Sequence, residues 1–210
     1  MKIQILVDNP NSWIIPYAER LLDTCKSNGF NAILLFNHDE VEEGDILCLL
    51  SCEKKFSKLN LNKHNLVVHE SYLPLGKGWS PVSWQILEGK NEIPITLFEA
   101  TDEIDTGDIY LQETIKLEGH ELIDEIRQAQ GEATISIILN FLTDFGNIIG
   151  KVQTGESTFY KRRKSKDSRL DINESIKSQF NLLRTVDNER YPAFFELNGH
   201  FYKISIEKMM

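Results

Sequence analysis

The chain opens with MKIQILVDNPNS, residues 1–12, in which an apolar run leads directly into a dense turn signal. The run at residues 2–7 is rich in Ile, Leu and Val and predicts a first strand. Residues 8–12 supply the Asp, Asn, Pro and Ser side chains that end strands and cap helices. Apolar residues then recur at helical spacing from Trp13 up to the helix-ending Gly29. The opening therefore predicts a strand, a tight turn and a helix.

The same alternation of strand and helix continues along the chain. Further apolar runs predict strands at residues 31–36, 45–50, 65–68, 93–98 and 109–117, a short helix at 81–88 and a long one from residue 121 through 141. Strands joined by helices favour a sheet with right-handed crossover connections. We therefore predict an α/β fold, Rossmann-like, with a mostly parallel sheet flanked by helices. No G-x-G-x-x-G follows the first strand, so a dinucleotide site has no support.

The character of the chain changes after Gly150. A loop and a basic cluster at residues 161–166 come first, and a solvated loop is the favoured interpretation of that cluster. Residues 168–184 then carry a second helical pattern. Two short strand patterns flank Asn198 and Gly199, a strong hairpin signal. We predict a main domain at residues 1–150 and an extension at 151–210 that contains a small helix and a β-hairpin.

Composition narrows the class of protein. The 210 residues are 41% hydrophobic and 26% charged, which is ordinary for a globular protein. No run of about 18 apolar residues suggests a membrane span. Three cysteines without metal-ligand spacing are typical of reduced thiols, so we expect a cytoplasmic protein without a metal site. A formal net charge of −9 disfavours a nucleic-acid partner.

The residues with the strongest functional signal lie at predicted strand ends. Asn9, Ser51 and His69 each follow a predicted strand, and ligands of such sheets bind beyond the carboxyl ends of the strands. His69 begins the motif HESYLP, and Asp105 lies in the later turn IDTGDI, residues 104–109. A histidine oriented by a carboxylate is suited to moving protons near neutral pH.

The segment from His69 to about Gln112 resembles the catalytic core of the folate-dependent formyltransferases. The resemblance rests on the following residues in order: His69, Ser71, Leu73-Pro74, Lys77-Gly78, Pro81, Gly89, the strand at 95–98 and Asp105-Thr-Gly-Asp108. The order and content of the tail resemble those of the branch that formylates amino sugars, and no full C-terminal domain of the tRNA-directed type is recognised.

This resemblance implies a set of site residues and a formyl donor. It implies His69 and Asp105 as the catalytic pair and 10-formyltetrahydrofolate as the donor. The remaining implied residues are Ser51, Leu73, Pro74, Gly78 and Ile104 for the cofactor, and Asn9, Asn11 and Ser12 for the acceptor. The acceptor is expected to be the amine of a small molecule, most simply an amino sugar, and a homodimer is one candidate assembly.

One position departs from the family pattern. Where the family has asparagine, two residues before the histidine, this chain has Val67. The resemblance implies that the asparagine donates to the oxyanion formed during attack, and valine has no polar atom. Asn65 is the first candidate for a replacement donor. Three alternatives stay open: a tRNA formyltransferase, a purine-pathway formyltransferase, and a folate- or sugar-binding protein without turnover.

Overall fold

A computed structural model describes residues 1–209 of the chain. The strands are β1 (Lys2–Leu6), β2 (Asn31–Leu35), β3 (Gly44–Leu49), β4 (Asn62–His69), β5 (Lys77–Gly78), β6 (Glu92–Glu99), β7 (Ile109–Lys116), β8 (Phe159–Tyr160), β9 (Ala193–Leu197) and β10 (His200–Ile204). The α-helices are α1 (Ile15–Ser27), α2 (Pro81–Leu87), α3 (Ile123–Thr143) and α4 (Phe180–Arg184).

The central sheet has the strand order β2-β1-β3-β4-β6-β7. β1 pairs in parallel with both β2 and β3, and β4 continues the parallel set beside β3. β6 runs antiparallel to β4 and to β7. The predicted α/β fold with a mostly parallel sheet is confirmed, and the predicted strands lie within a few residues of the observed bounds.

The two faces of the sheet are covered by different structure. On one face, α1 and α3 pack over a large apolar core to which Ile5 contributes. On the other face, Leu49 and Phe56 belong to a smaller apolar cluster covered by loops. Successive side chains of a strand point to opposite faces. Val68 accordingly packs on the large core and Val67 on the small cluster.

Helix α3 follows the predicted apolar stripe. Ile126, Ile137 and Phe141 are buried in the large core, and Ala129 and Ala133 pack at its edge. The stripe faces the sheet because residues three or four apart share one side of a helix. Within residues 1–209, no helix combines the length and apolar character needed to cross a membrane.

The C-terminal region has a small core of its own. Leu170, Leu183, Val186 and Ala193 form this cluster. β9 and β10 make the predicted antiparallel hairpin, and β8 pairs with β5 of the preceding region. The division of the chain at residue 150 stays a prediction.

A buried arginine fastens the C-terminal region to the rest of the protein. Arg184 is 1% exposed, and its Nη1 lies 3.2 Å from Glu121 Oε2. Its Nη2 donates to Asn91 and its Nε to Asn181. A buried charge with several partners is costly to disturb, so this contact holds α4 firmly against the segment before α3.

The helix predicted across residues 168–184 is wrong over most of its length, since only Phe180–Arg184 is α-helical. The apolar residues that created the pattern stay at the surface, and Ile176 is 75% exposed. Gln179 instead accepts from the Asp171 backbone N–H and donates to the Asp171 carbonyl. Such side-chain to backbone bonds compete with helix formation, and no buried face compensates for the loss.

Candidate active site

A cavity of about 550 Å³ opens at the carboxyl ends of the parallel strands. Its lining includes Asn9 after β1, Ser51 after β3 and His69 at the end of β4. These are the three strand-end residues that the sequence singled out. The parallel register of β1, β3 and β4 brings them to one edge of the sheet, as expected for this fold.

His69 is buried at the base of the cavity. Its Nε2 donates to the Gly76 carbonyl oxygen at 2.8 Å, and that oxygen can only accept. The proton of the neutral imidazole is thereby assigned to Nε2, which leaves the lone pair on Nδ1. Among residues 1–209, Nδ1 has no hydrogen-bond partner, so it is the nitrogen available to a substrate.

Asp105 lies beside His69 as the sequence predicted. Its Oδ2 is 3.9 Å from His69 Nε2 and accepts the Gly78 backbone N–H at 2.8 Å. Asp105 has a left-handed backbone, with φ of 56°. The turn approaches β6 so closely at Gly107 that a Cβ there would lie 1.7 Å from the Glu99 carbonyl oxygen. A glycine at 107 is therefore required to hold Asp105 at this place.

One side of the cavity is apolar. Leu49, Val67, Phe98, Ala100 and Ile104 line it, and we call these five residues the apolar wall. Val67 is paired with Leu49 on β3 and with Phe98 on β6, so the three side chains share a face of the sheet. This wall offers smooth contact to a flat ring and contributes no side-chain donor.

Asn65 does not supply the donor that Val67 lacks. Its Nδ2 donates to the Leu59 carbonyl oxygen at 2.9 Å and lies 3.3 Å from Glu99 Oε1. The residue is buried and is not part of the cavity lining. The proposed replacement by Asn65 is therefore wrong, because its amide is hydrogen-bonded outside the cavity.

The opposite side of the cavity is polar. Glu70, Arg127, Gln130, Arg163 and Asp187 line it, and we call them the polar wall. Gln130 Nε2 donates to Glu70 Oε1 at 2.6 Å, and Arg127 Nη2 pairs with Asp187 Oδ2 at 2.8 Å. Both contacts join residues 60 positions apart. Burial raises the pKa of Glu70 and lowers that of Arg163.

Sequence reasoning missed every member of the polar wall. Two signals were nonetheless present: Glu70 places a carboxylate directly after the strand-end histidine, and Arg127 and Gln130 lie three residues apart on α3. Residues three apart on a helix share a face. Arg163 stood out only as part of the basic cluster at residues 161–166, and Asp187 carried no signal.

The rim of the cavity is more basic than the chain as a whole. Seven basic side chains line the cavity, namely Lys54, Lys55, Arg127, Arg162, Arg163, Lys164 and Arg190, against five acidic ones, Glu53, Glu70, Glu103, Asp105 and Asp187. Arg162 stacks over the Trp79 ring at 4.5 Å. The basic cluster that looked like a solvated loop thus contributes to the site, where it can attract an anionic group.

The remaining predicted residues divide between the cavity and its surroundings. Ser51, Gly78, Ile104, Asn9 and Ser12 line the cavity. Leu73, Pro74 and Asn11 do not. Leu73 and Pro74 instead line a second cavity of about 320 Å³, and the Asn11 carbonyl accepts from Arg190.

Gly78 serves a packing requirement in addition to lining the cavity. A Cβ at Gly78 would lie 2.5 Å from the Tyr160 carbonyl oxygen, and its φ is +96°. The space freed by this glycine is therefore filled by β8.

One group of side chains has the composition of a metal site. Asp8, His38 and Cys52 bring their ligand atoms within 4.8 Å of one another. Each is already hydrogen-bonded: Asp8 accepts the Glu53 and Lys54 backbone N–H groups and contacts His38, and Cys52 donates to the Leu6 carbonyl. Burial raises the pKa of Cys52 to about 12, which disfavours a thiolate. The group therefore serves to fasten the loop after β3.

Comparison with known proteins gives one family. Residues 40–142 match the family described as formyl transferase. A methionyl-tRNA formyltransferase of Mycoplasma capricolum is 27% identical over 145 residues, which are 68% of this chain and 45% of that protein. The chain thus spans about half the length of the curated relatives it matches.

Two solved structures share the fold over the entire chain. A methionyl-tRNA formyltransferase from Clostridium thermocellum is 24% identical with a TM-score of 0.84, covering 100% of this chain and 94% of that one. A sugar N-formyltransferase from a Shewanella species is 15% identical with a TM-score of 0.73, covering 100% and 98%. At these identities the likeness supports the fold.

Proposed function

We propose that the chain is a formyltransferase, as its match to the formyl transferase family over residues 40–142 supports, and that it moves a formyl group from 10-formyltetrahydrofolate to the amine of a small acceptor. In that reaction the acceptor nitrogen bonds to the formyl carbon, the bond from this carbon to folate N10 breaks, and N10 gains a proton. The observation that carries the proposal is the pair of buried His69 and half-buried Asp105, 3.9 Å apart at the base of the cavity.

His69 is proposed to handle the proton of the attacking amine. The lone pair on Nδ1 can accept this proton while Nε2 stays bonded to Gly76. Asp105 then faces an imidazolium, whose charge it stabilises from 3.9 Å. A positioned general base contributes about 10²–10⁴ in rate, which is the share assigned to His69.

The apolar wall is the proposed binding site of the folate ring system. Val67, Phe98 and Ile104 provide apolar contact for a flat heterocycle. Ser51 and Gly78 line the same cavity and offer polar atoms to the edges of that ring. This donor supplies the formyl group, and the side chains orient it toward His69.

The polar wall and the basic rim together are the proposed binding site of the acceptor. Arg162 and Arg163 line the cavity; Arg162 lies 3.9 Å from Glu53, and Arg163 makes no salt bridge within residues 1–209. Guanidinium groups suit phosphate, so a nucleotide-linked amino sugar fits this side. A cavity of about 550 Å³ also has the size of a small-molecule site. The formal net charge of −9 does not favour an extended polyanion such as tRNA.

Val67 favours a second candidate, a protein that binds folate and an amino sugar without turnover. Loss of one oxyanion donor costs about 10²–10³ in rate, and the apolar wall provides no other side-chain donor. The two candidates share the same binding sites and differ in the chemical step alone.

Two measurements test the proposal in sequence. Titration with 5-formyltetrahydrofolate, a stable analogue of the donor, should show saturable binding that is unchanged in His200→Gln, which alters an exposed histidine. Formation of tetrahydrofolate from 10-formyltetrahydrofolate is then followed with glucosamine 6-phosphate, UDP-glucosamine and thymidine diphosphate-linked 3-amino and 4-amino sugars.

The outcomes separate the candidates. Transfer to an amino sugar supports the proposed function. Folate binding without transfer to any acceptor supports the binding protein. Transfer to methionyl-tRNA or to a purine precursor in place of the sugars would overturn the acceptor assignment. Absence of folate binding would overturn the donor.

A further inference from the structure

Glu70 is a half-buried carboxylate to which the proposed reaction assigns no role. It follows His69 directly and lines the cavity. Its backbone is fixed because Gln85 Nε2 donates to the Glu70 carbonyl oxygen at 2.6 Å. Its side chain is fixed because Gln130 Nε2 donates to Oε1 at 2.6 Å. The carboxylate is therefore held in one orientation from both ends.

Within residues 1–209, the charge of Glu70 is supported by the adjacent His69 but by no salt bridge. No basic side chain within residues 1–209 forms a salt bridge with it, and Arg127 on the same wall is paired with Asp187 at 2.8 Å. The second oxygen, Oε2, makes no hydrogen bond among these residues. Buried charges are ordinarily paired. We therefore expect the carboxylate oxygen that has no partner in the cavity to pair with a cationic group of the ligand.

We propose that Glu70 binds the ammonium group of the acceptor and removes one proton from it before attack on the formyl carbon. This inference rests on the proposed function and adds a residue to it. The step balances: R–NH₃⁺ and the carboxylate become R–NH₂ and the carboxylic acid, and the freed nitrogen lone pair forms the new C–N bond. His69 Nδ1 then accepts the second proton, which the nitrogen loses after attack. The bond from the formyl carbon to folate N10 breaks, N10 takes the proton from His69, and the Glu70 carboxylic acid releases its proton to solvent.

The surroundings of Glu70 make its carboxylate a stronger base than an exposed glutamate. Burial raises its pKa, the adjacent His69 opposes that rise, and Asp105 adds to it. The elements packed around it present His69 from β4, Asp105 from its turn, Arg127 from α3 and Asp187 from the C-terminal region, while Gln85 and Gln130 are neutral. A raised carboxyl pKa narrows the gap to an amine and makes the proton transfer easier.

The kinetic test compares Glu70→Gln with the unmodified protein. Glutamine keeps the size and can still accept from Gln130, but it carries no charge and cannot take the proton. With the amino sugar of the panel that the unmodified protein formylates, kcat/KM for the acceptor should fall about 10²-fold. Affinity for 5-formyltetrahydrofolate should stay unchanged, and Glu70→Asp should recover part of the loss. Glu43→Gln, which alters an exposed carboxylate, is the matched control.

The pH profile separates this role from a structural one. Without Glu70 only the free amine can react, so kcat/KM of Glu70→Gln should rise tenfold per pH unit up to the pKa of the acceptor amine. The unmodified protein should be nearly flat over that range. Equal profiles, or an equal loss of folate affinity, would overturn the proposal.

A binding measurement tests Glu70 without turnover. Protein labelled with ¹³C-glutamate is titrated with methylammonium chloride, and the Glu70 carboxyl signal is assigned by its loss in Glu70→Gln. That signal should shift and saturate, whereas the Glu43 signal should not saturate. Absence of a Glu70 shift would overturn the proposal even in an active protein. If no amine of the panel is formylated while methylammonium still binds at Glu70, the proposed reaction fails and the cation site stands.

Discussion

The two walls of the cavity are built in different ways. The apolar wall comes from adjacent strands β3, β4 and β6 and the turn that carries Ile104, so its residues are held by the sheet itself. The polar wall joins the end of β4, helix α3 and the C-terminal region through contacts such as Glu70 with Gln130 and Arg127 with Asp187. The proposed donor side is therefore fixed by the sheet, whereas the proposed acceptor side depends on the docking of the C-terminal region.

This difference suggests a division of labour. A wall made by a sheet changes little when loops vary, and it suits a formyl donor with constant structure. A wall assembled from a helix and a terminal extension can be altered residue by residue, and it suits a variable acceptor. Function commonly resides in segments positioned by a rigid scaffold, and here the scaffold itself forms one wall.

The largest expected effect comes from His69, which lies between the two walls. His69→Gln should reduce kcat by about 10³-fold, because the imidazole lone pair that accepts the proton is lost. Binding of 5-formyltetrahydrofolate and the melting temperature should change little, since the glutamine amide can still donate toward Gly76. His200→Gln serves as the control, and a kcat near that of the unmodified protein would remove His69 from the chemistry.

The next largest effect is expected from Arg184, whose replacement tests whether acceptor binding can be weakened without loss of folate binding. Arg184→Met leaves Glu121 without its buried partner and should lower the free energy of unfolding by about 3 kcal/mol. Because Arg184 holds the region that carries Asp187, the acceptor KM should rise, while affinity for the folate analogue should be preserved on the apolar wall. Denaturant unfolding and separate titrations measure the two quantities.

Arg169→Met is the matched control for Arg184. Arg169 pairs with Glu196 at 2.8 Å but is largely exposed, so its removal should cost less than about 1 kcal/mol. Equal loss of folate and acceptor binding in Arg184→Met would show that the two walls fold as one unit and would contradict their separate construction.

A smaller effect, an increase in kcat, is expected from a substitution on the apolar wall. Val67→Asn places an amide donor where the family has one, and it should raise kcat by about 10-fold to 10²-fold if transfer is limited by oxyanion stabilisation. Val67→Leu introduces a side chain with as many heavy atoms as asparagine but without a donor, and it should give no gain. A Val67→Asn protein with unchanged kcat would mean that another donor, such as a backbone N–H, already serves the oxyanion.

The sequence predicted the strand-end part of the site, with His69 and Asp105, far better than the polar wall. The strands, the position of His69 and the Asp105 turn depend on local patterns, namely apolar runs, strand ends and a glycine-containing turn. These patterns hold because the parallel register brings strand ends together whatever the loops do. Even there, Leu73 and Pro74 lie outside the main cavity, because their loop turns away from it.

The polar wall could not be predicted because its contacts span 60 residues and carry no periodic signal. The helical pattern over residues 168–184 was misleading for a related reason. Periodicity indicates a helix only when the apolar face is buried, and Ile172 and Ile176 stay exposed. The docking of this region is decided by Arg184 and its polar partners, which no hydrophobic pattern records.

The smallest expected effect is a change in Tm when the Glu70 carboxylate of the polar wall is replaced. The pKa of Glu70 is raised in the folded protein, mainly by burial, above its ordinary value of 4.5. Between those two values the folded state binds more protons than the unfolded state, so stability falls as pH rises through this window. Glu70→Gln should therefore raise Tm by about 3 °C at pH 8, and the gain should vanish near pH 4.5. Scanning calorimetry at both pH values measures this, with Glu43→Gln as the control that should show no such pH-dependent gain.

A Tm that falls at pH 8 would mean that the Glu70 carboxylate has a cationic partner in the folded protein. A gain in stability together with a loss of acceptor kcat/KM would identify Glu70 as a residue kept for function at a cost to the fold, a trade that the wholly apolar wall does not require.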